Sequence, residues 1–417
     1  IFFFSFLVPG VFAQKFSDYF ENKTLRIDYI FAGNQVQQQA YVHQLVSLDQ
    51  WHGRKVNLSQ TPIQGNGQIR VIDPISKQLI YIIPFSSLFQ EWLTLEESRT
   101  SVKSFENSFL IPFPKNKVVV EVVLFDKNNR EYSILKHDVE PQDILIRSSF
   151  QKTAYQVIHA AQIENPIKIA IISEGYQTNE MDLFLKYAYQ TVESMWQHSI
   201  FAQYKDYFEI SAVFAPSTDS GISQPSQKVW LDTAVGSHFD TFYSSRYLTT
   251  PHVFRLHQWL ENIPYQHIII LANTSIYGGG GILNSYTLTT TKNPNFSSVV
   301  VHEFGHSFGG LADEYFYPND VFQNQGSDKV EPWEKNITTL AQFYTKWKDF
   351  VDAATPIPTP IEWNDRVEVG AFEGLEGNGI YIPTWNCRMK RNDTQDFCPV
   401  CSHAIEEMIL FYTSSEN

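Results

Sequence analysis

The sequence predicts an α+β chain of two domains, an N-terminal antiparallel β-sandwich over residues 14–149 and an α/β domain over residues 150–417. Three observations carry this reading. From residue 16 to residue 147, short segments alternate between apolar and polar residues at period two and are broken by turn residues. After about residue 150, continuous apolar runs are interleaved with helix-like stretches. A chain of 417 residues, 43% hydrophobic and 15% aromatic, is also long and apolar enough for two cored domains.

The sequence opens on "IFFFSFLVPGVFAQK", an apolar run ending in Val11, Phe12 and Ala13, the small-residue pattern of a secretory cleavage site. Residues 1–13 are therefore read as a signal-peptide remnant cut after Ala13, and export to the periplasm, the cell surface or the medium is expected. A spanning helix needs about 20 apolar residues. This run is shorter and no other segment qualifies, so no integral membrane segment is expected in the mature chain. Strands follow in "TLRIDYIFAG", "GQIRVIDPISKQLIYIIPF", "NSFLIPFP" and "KVVVEVVLFDKNNREYSIL", the last with "DKNNRE" as a turn between two runs. His43 and His52 stand alone in this half and are read as surface or packing residues. The 31 basic and 45 acidic residues leave a net charge of -14, which repels phosphate backbones and argues against nucleic acid as a partner.

In the second half, "IKIAIIS" at residues 167–173 suits a strand covered on both faces, and Thr178 or Asn179 can cap a helix in "EMDLFLKYAYQTVESMW". "YFEISAVFAP" and "HIIILAN" supply two more buried strands. Pro294, Asn295, Ser297 and Ser298 then start a helix that continues as "SVVVHEFGHSF". On it His302 and His306, four apart, project from one face and can take two positions around one zinc. Glu303 points to the side, where it can take a proton from a water whose pKa the metal has lowered. Gly309 and Gly310 end the helix. In the pattern HExxHxxGxxH the third ligand falls six residues after the second histidine, which here is Ala312 and cannot ligate. If Gly310 is the turning glycine, one residue is inserted and Asp313 reaches the third-ligand position, with Glu314 as the alternative.

"HEFGHSFGGLADEYF", with "GNGIYIPTWNCRMKRN" and "FCPVC" downstream, resembles the bacterial immunoglobulin-A-cleaving metallopeptidase family, a metzincin-like group of exported zinc endopeptidases. The likeness covers the second half, and the N-terminal sandwich fits the family's layout. The resemblance implies a metzincin-like peptidase domain with its cleft beneath the active-site helix, and a methionine turn under the metal that Met389 matches. On this reading the chain is a secreted endopeptidase with one catalytic Zn2+ and protein or peptide substrates. His302, His306 and Asp313 hold the metal and Glu303 is the general base. The competing expectation is a cell-surface module that binds proteins or glycans and whose zinc is structural. Such a zinc would take four protein ligands and need no Glu303.

Cys387, Cys398 and Cys401 cluster near the end of the sequence and, with His403, make a set that could bind zinc. The paired spacing usual for zinc is missing, so one disulfide with a thiol left over is expected instead. Glycines 278–281 permit close backbone approach, and "ILNSYTL" after them could serve as an edge strand to which an extended peptide adds; a flexible hairpin loop is the plain alternative. Tyr315 and Tyr381 are candidate donors to a tetrahedral oxyanion.

Overall fold

The computed structural model describes residues 14–149, 151–315, 330–374 and 379–414. The expected signal segment at residues 1–13 and part of the "GNGIYIPTW" stretch lie outside the described residues. One turn of helix, α1 (Phe16–Tyr19), leads into β1 (Phe20–Gly33) and β2 (Gln38–Leu48). Then come β3 (Gly67–Ile72), β4 (Leu79–Phe85), α2 (Leu88–Leu93), β5 (Lys103–Pro114), β6 (Val118–Phe125), β7 (Glu131–Val139) and β8 (Arg147–Ser148). They form two four-stranded sheets, ordered β5-β1-β2-β8 and β4-β3-β6-β7. Every pairing in them is antiparallel except that of the short β8 with β2.

Alternation sorts the side chains as period two requires. Leu25, Ile27, Tyr29 and Phe31 of β1 share one core with Ile69 and Val71 of β3 and Val118, Val120, Val122 and Leu124 of β6. The opposite face of β1 is not solvated, however. Arg26 and Asp28 are fully buried there and meet the second half of the chain. Arg26 Nη1 donates to Glu261 Oε1 at 3.1 Å and Arg26 Nη2 to Asp28 Oδ2 at 3.1 Å. Arg147 Nη2 reaches the same Glu261 oxygen at 2.6 Å, and Ser108 Oγ donates to Asp28 Oδ1 at 2.6 Å.

The second half begins with β9 (Tyr155–His159), β10 (Ile167–Glu174), α3 (Met181–Trp196), α4 (Ser199–Gln203) and β11 (Phe208–Val213). It continues through α5 (Val253–Trp259), β12 (His267–Ala272), β13 (Gly279–Ile282), β14 (Tyr286–Thr290) and α6 (Phe296–Ser307). A small β15 (Phe372–Glu373) and β16 (Tyr381–Ile382) ladder precedes the last helix, α7 (Pro399–Thr413). The main sheet runs β13-β14-β12-β10-β11-β9. Its inner strands are parallel, and antiparallel β13 and β9 close its edges. Both faces are covered, which is why its strands read as continuous apolar runs. Ile167, Ile169 and Ile171 of β10 pack with Phe184 of α3, Val300 and Phe304 of α6 and Ile405 of α7, while Ala170 and Ile172 pack with Leu256 of α5. The chain is thus α+β, with an N-terminal pair of sheets and a second, mixed sheet flanked by helices.

Two local expectations change. Gln177, whose side chain and that of Glu180 form a reciprocal box, caps the 3-10 turn Thr178–Glu180 that leads into α3; Thr178 and Asn179 lie inside that turn, and the residue at the N-cap of α3 is Glu180. The edge strand is the glycine run itself, β13, with "YTLTT" one place further in as β14. The outer edge of β13 is already partnered at both ends. Leu248 N–H donates to the Gly279 carbonyl at 3.3 Å, and Ser86 N–H, from the N-terminal half, donates to the Leu283 carbonyl at 3.2 Å. An extended peptide therefore has little free edge to join there.

Candidate metal centre and active site

Helix α6 places His302, Glu303 and His306 beside β13. Gly310, with φ +61°, turns the chain sharply at the helix end, so that Gly310 N–H bonds the His306 carbonyl at 3.1 Å and Leu311 N–H the Gly305 carbonyl at 3.2 Å. The loop that follows is held by Asn336. Its Oδ1 accepts from Ala312 N–H at 2.8 Å and its Nδ2 donates to the Ala312 carbonyl at 2.8 Å. Successive side chains then point to different places. Asp313 turns to the histidines and Glu314 turns into the protein, where it is fully buried.

His302 Nε2, His306 Nε2 and Asp313 Oδ1 form a nearly equilateral triangle. The histidine nitrogens are 3.1 Å apart and lie 3.0 and 3.2 Å from the carboxylate oxygen. The other ring nitrogens are occupied: His302 Nδ1 bonds the Arg388 carbonyl at 3.0 Å and His306 Nδ1 the Leu311 carbonyl at 2.6 Å. A carbonyl can only accept, so both Nδ1 atoms carry protons, and each ring when neutral presents a lone pair at Nε2. Three acceptors aimed at one point repel unless a cation sits among them. Tetrahedral zinc at about 2.0–2.1 Å from such ligands separates its donors by about 3.3–3.4 Å, close to the triangle seen. The residues present therefore fit a zinc ion, and the carbonyls behind the rings are the supports such ligands ordinarily have.

The electrostatics agree. Burial alone would depress His306, yet the Asp313 carboxylate bonded to it raises its pKa to about 9. Burial alone would raise Asp313, yet the two imidazoles hold it well below the usual carboxylate range. Both shifts come from the one close contact between the Asp313 carboxylate and the imidazoles. Glu303 stands beside it with its proton affinity raised by burial, the imidazoles opposing and Asp313 adding. Its carboxylate lies against β13, so that a Cβ added at Gly279 would fall 2.5 Å from Glu303 Oε1.

Met389 is fully buried under the helix, where a Cβ added at Gly305 would come within 2.8 Å of its Sδ, and its carbonyl accepts from Glu314 N–H at 2.9 Å. Tyr315 stacks on the His302 ring at a centroid distance of 5.9 Å. Tyr381 sits in the β15–β16 ladder, its backbone paired with Thr338. The expected disulfide is not formed: Cys387, Cys398 and Cys401 are free and buried, and Cys387 Sγ and Cys401 Sγ are 3.6 Å apart against about 2.05 Å for a bond. His403 is not with them. It faces Glu406 and Glu407 on α7.

Three residues near the site have no spacing signature. Asn336 is described above. Tyr247 lies over Gly280 and donates its hydroxyl to Glu91 of α2, so the N-terminal half reaches the edge of the site. No local pattern links Glu91 or Tyr247 to a helix far along the sequence, and only the fold brings them together.

Comparison with known proteins gives two matches. The profile of the family described as IgA Peptidase M64 matches residues 156–368, more than half of the chain, and that of the Peptidase M64 N-terminus matches residues 15–136. No curated protein matches.

Proposed function

The chain belongs to the IgA peptidase M64 family and is a peptidase with protein substrates; from that premise we propose that it is a secreted zinc-dependent endopeptidase with Glu303 as its general base. The observation that carries the reading is the triangle of bare acceptors, His302 Nε2, His306 Nε2 and Asp313 Oδ1, beside a buried carboxylate. Zinc held by those three would supply Lewis acidity, lowering the pKa of a water and polarising the scissile carbonyl. The protein's own groups do the proton work. Glu303 takes the proton of the attacking water at its carboxylate oxygens, holds it in a buried setting that favours the protonated form, and returns it to the leaving nitrogen. The Arg388 and Leu311 carbonyls keep the two rings in the tautomer and orientation the reaction needs.

In the same proposal residues 14–149 form a β-sandwich, residues 150–417 form a metzincin-like catalytic domain with Met389 in the turn beneath the donors, and residues 1–13 direct export. Among the described residues no helix is long and apolar enough to cross a membrane. The binding-module reading is not favoured, because the family match is to a peptidase.

The test is Glu303→Gln. Hydrolysis of casein or gelatin should fall by roughly 10²–10⁴ while the zinc content of the purified chain is unchanged. A variant that cleaves at the wild-type rate would remove Glu303 from the chemistry. A chelator should abolish wild-type hydrolysis and added zinc restore it.

A further inference from the structure

We propose that the chain holds a second, structural zinc, in a buried site made by Cys387, Cys398, Cys401 and Glu314. The four donors come from three places in the chain: the loop after α6, the turn that carries Met389, and the first turn of α7. One ligand atom of each lies within 4.8 Å of all the others, and all four residues are buried. Cys387 Sγ and Cys401 Sγ are 3.6 Å apart, and Cys401 Sγ is 3.1 Å from Glu314 Oε1. Tetrahedral zinc at about 2.3 Å from sulfur sets its sulfurs about 3.8 Å apart, so the thiols already stand near ligand spacing and far from disulfide spacing.

An independent observation points to a missing ligand. Glu314 is fully buried, and while Oε1 accepts from Asn336 Nδ2 at 3.0 Å, its Oε2 has no partner. An orphaned carboxylate oxygen in the interior is costly unless something positive meets it. The sulfurs are prepared in the manner of metal-bound thiolates: Cys398 N–H points to Cys387 Sγ at 3.3 Å and Cys401 N–H to Cys398 Sγ at 3.4 Å, so the first turn of α7 aims its free amides at them. Three thiolates and one carboxylate around a divalent ion leave the same net charge as a four-cysteine zinc site. Lys390, whose Nζ donates to the Glu314 carbonyl at 2.9 Å, offsets part of it. Soft sulfur donors in this arrangement select zinc over calcium or magnesium, and the thiols release their protons as it binds.

The site has a consequence for the triangle next to it. Glu314 adjoins Asp313, and Cys387 adjoins Arg388, whose carbonyl orients His302. A metal clamping Glu314 to Cys387 would fix both the third donor and the His302 ring from behind.

Metal analysis after dialysis against a weak chelator tests this. Wild-type chain should carry two zinc ions, a His302→Ala/His306→Ala chain one, and a Cys387→Ser/Cys401→Ser chain one. Cobalt introduced into the His302→Ala/His306→Ala chain should show sulfur-to-cobalt charge-transfer absorption, a reading that does not depend on the cysteine variant folding. One zinc in wild type, none in the histidine variant and no such absorption would overturn the second site. One zinc in both, with the absorption present, would uphold it and count against the proposed catalytic centre instead. Iron in place of zinc would overturn the assignment of the ion.

Discussion

Gly279 lacks a side chain where Glu303 fills the space one would occupy. Its φ is not in the left-handed region, so alanine is compatible with the backbone, and the nearest conflict is with the Glu303 side chain, at 2.5 Å from Oε1, 3.0 Å from Cδ and 3.1 Å from Cγ. Gly279→Ala should therefore displace the Glu303 carboxylate while leaving the donor triangle intact. Misplacing a catalytic group by about 1 Å can cost on the order of 10² in rate. The expected outcome is a fall of that size in kcat with unchanged zinc content, and a rate within twofold of wild type would show that Glu303 does not depend on this contact. Residues of this kind divide sharply in how legible they are. His302, Glu303 and His306 were readable because helical spacing alone puts two imidazoles on one face. Asp313 needed the turning glycine as well, and the structure does bring it to both rings. Glu314 and the three cysteines were not recognised as one group, although two cysteines three apart at the start of α7 were a usable signal.

At the scale of elements, the strands with regular alternation and the helix carrying the histidines were plain in the sequence, and those with mixed faces were not. β2 was missed because its burial does not alternate: Tyr41, Val42 and His43 are exposed in succession, two of them apolar, while Ala40, Val46 and Leu48 are buried. That both faces of β1 are buried has no signature in the sequence, because Arg26 and Asp28 are residue types that mostly face water. β12 was legible as a buried strand, but its first residue, His267, carries a consequence the pattern does not show. His267 is buried against the edges of Phe308 and Tyr412, at centroid distances of 4.9 and 5.3 Å, and its Nε2 has no partner. Burial lowers its pKa to about 3, against an ordinary value of 6.5. The unfolded chain therefore binds this proton between those two values and the folded chain does not. The contribution to stability is complete above pH 6.5 and is lost as pH falls towards 3, at about 1.4 kcal/mol per pH unit. His267→Phe keeps a flat aromatic ring in the same packing and cannot take the proton. Urea midpoints measured from pH 7 to pH 4 should fall less steeply for this variant than for wild type. Parallel slopes would mean that His267 is charged or solvated in the folded chain.

Across the whole molecule, the two halves are joined by buried charge as well as by apolar packing. Arg26 on β1 and Glu261 after α5 have side chains 0% and 1% exposed, with Asp28, Arg147, Ser108 and Ser149 completing the network. Such a network need not add net stability over well-packed apolar residues, since desolvating the ions offsets their attraction. Removing one member is a different matter, because the partner is then left charged and buried. Glu261→Ala leaves the buried Arg26 guanidinium to Asp28 alone and takes from Arg147 its buried partner, and should cost up to about 3–5 kcal/mol. The pair of Arg70 and Glu131 is closer, at 2.6 Å against 3.1 Å for Arg26 and Glu261, but its glutamate is 56% exposed, and Glu131→Ala should change stability by no more than about 1 kcal/mol. The same contrast tests whether the halves unfold together. Ser86 pairs with Leu283, Asn284 Nδ2 donates to the Pro84 carbonyl, and Trp333 Nε1 donates to Asn66 Oδ1, so the contacts continue well away from Arg26. Wild type should then melt in one calorimetric transition, and Glu261→Ala should lower that transition or split it. Two well-separated transitions already present in wild type, with Glu261→Ala shifting neither, would mean that the halves are only tethered and that the buried charges do not couple them.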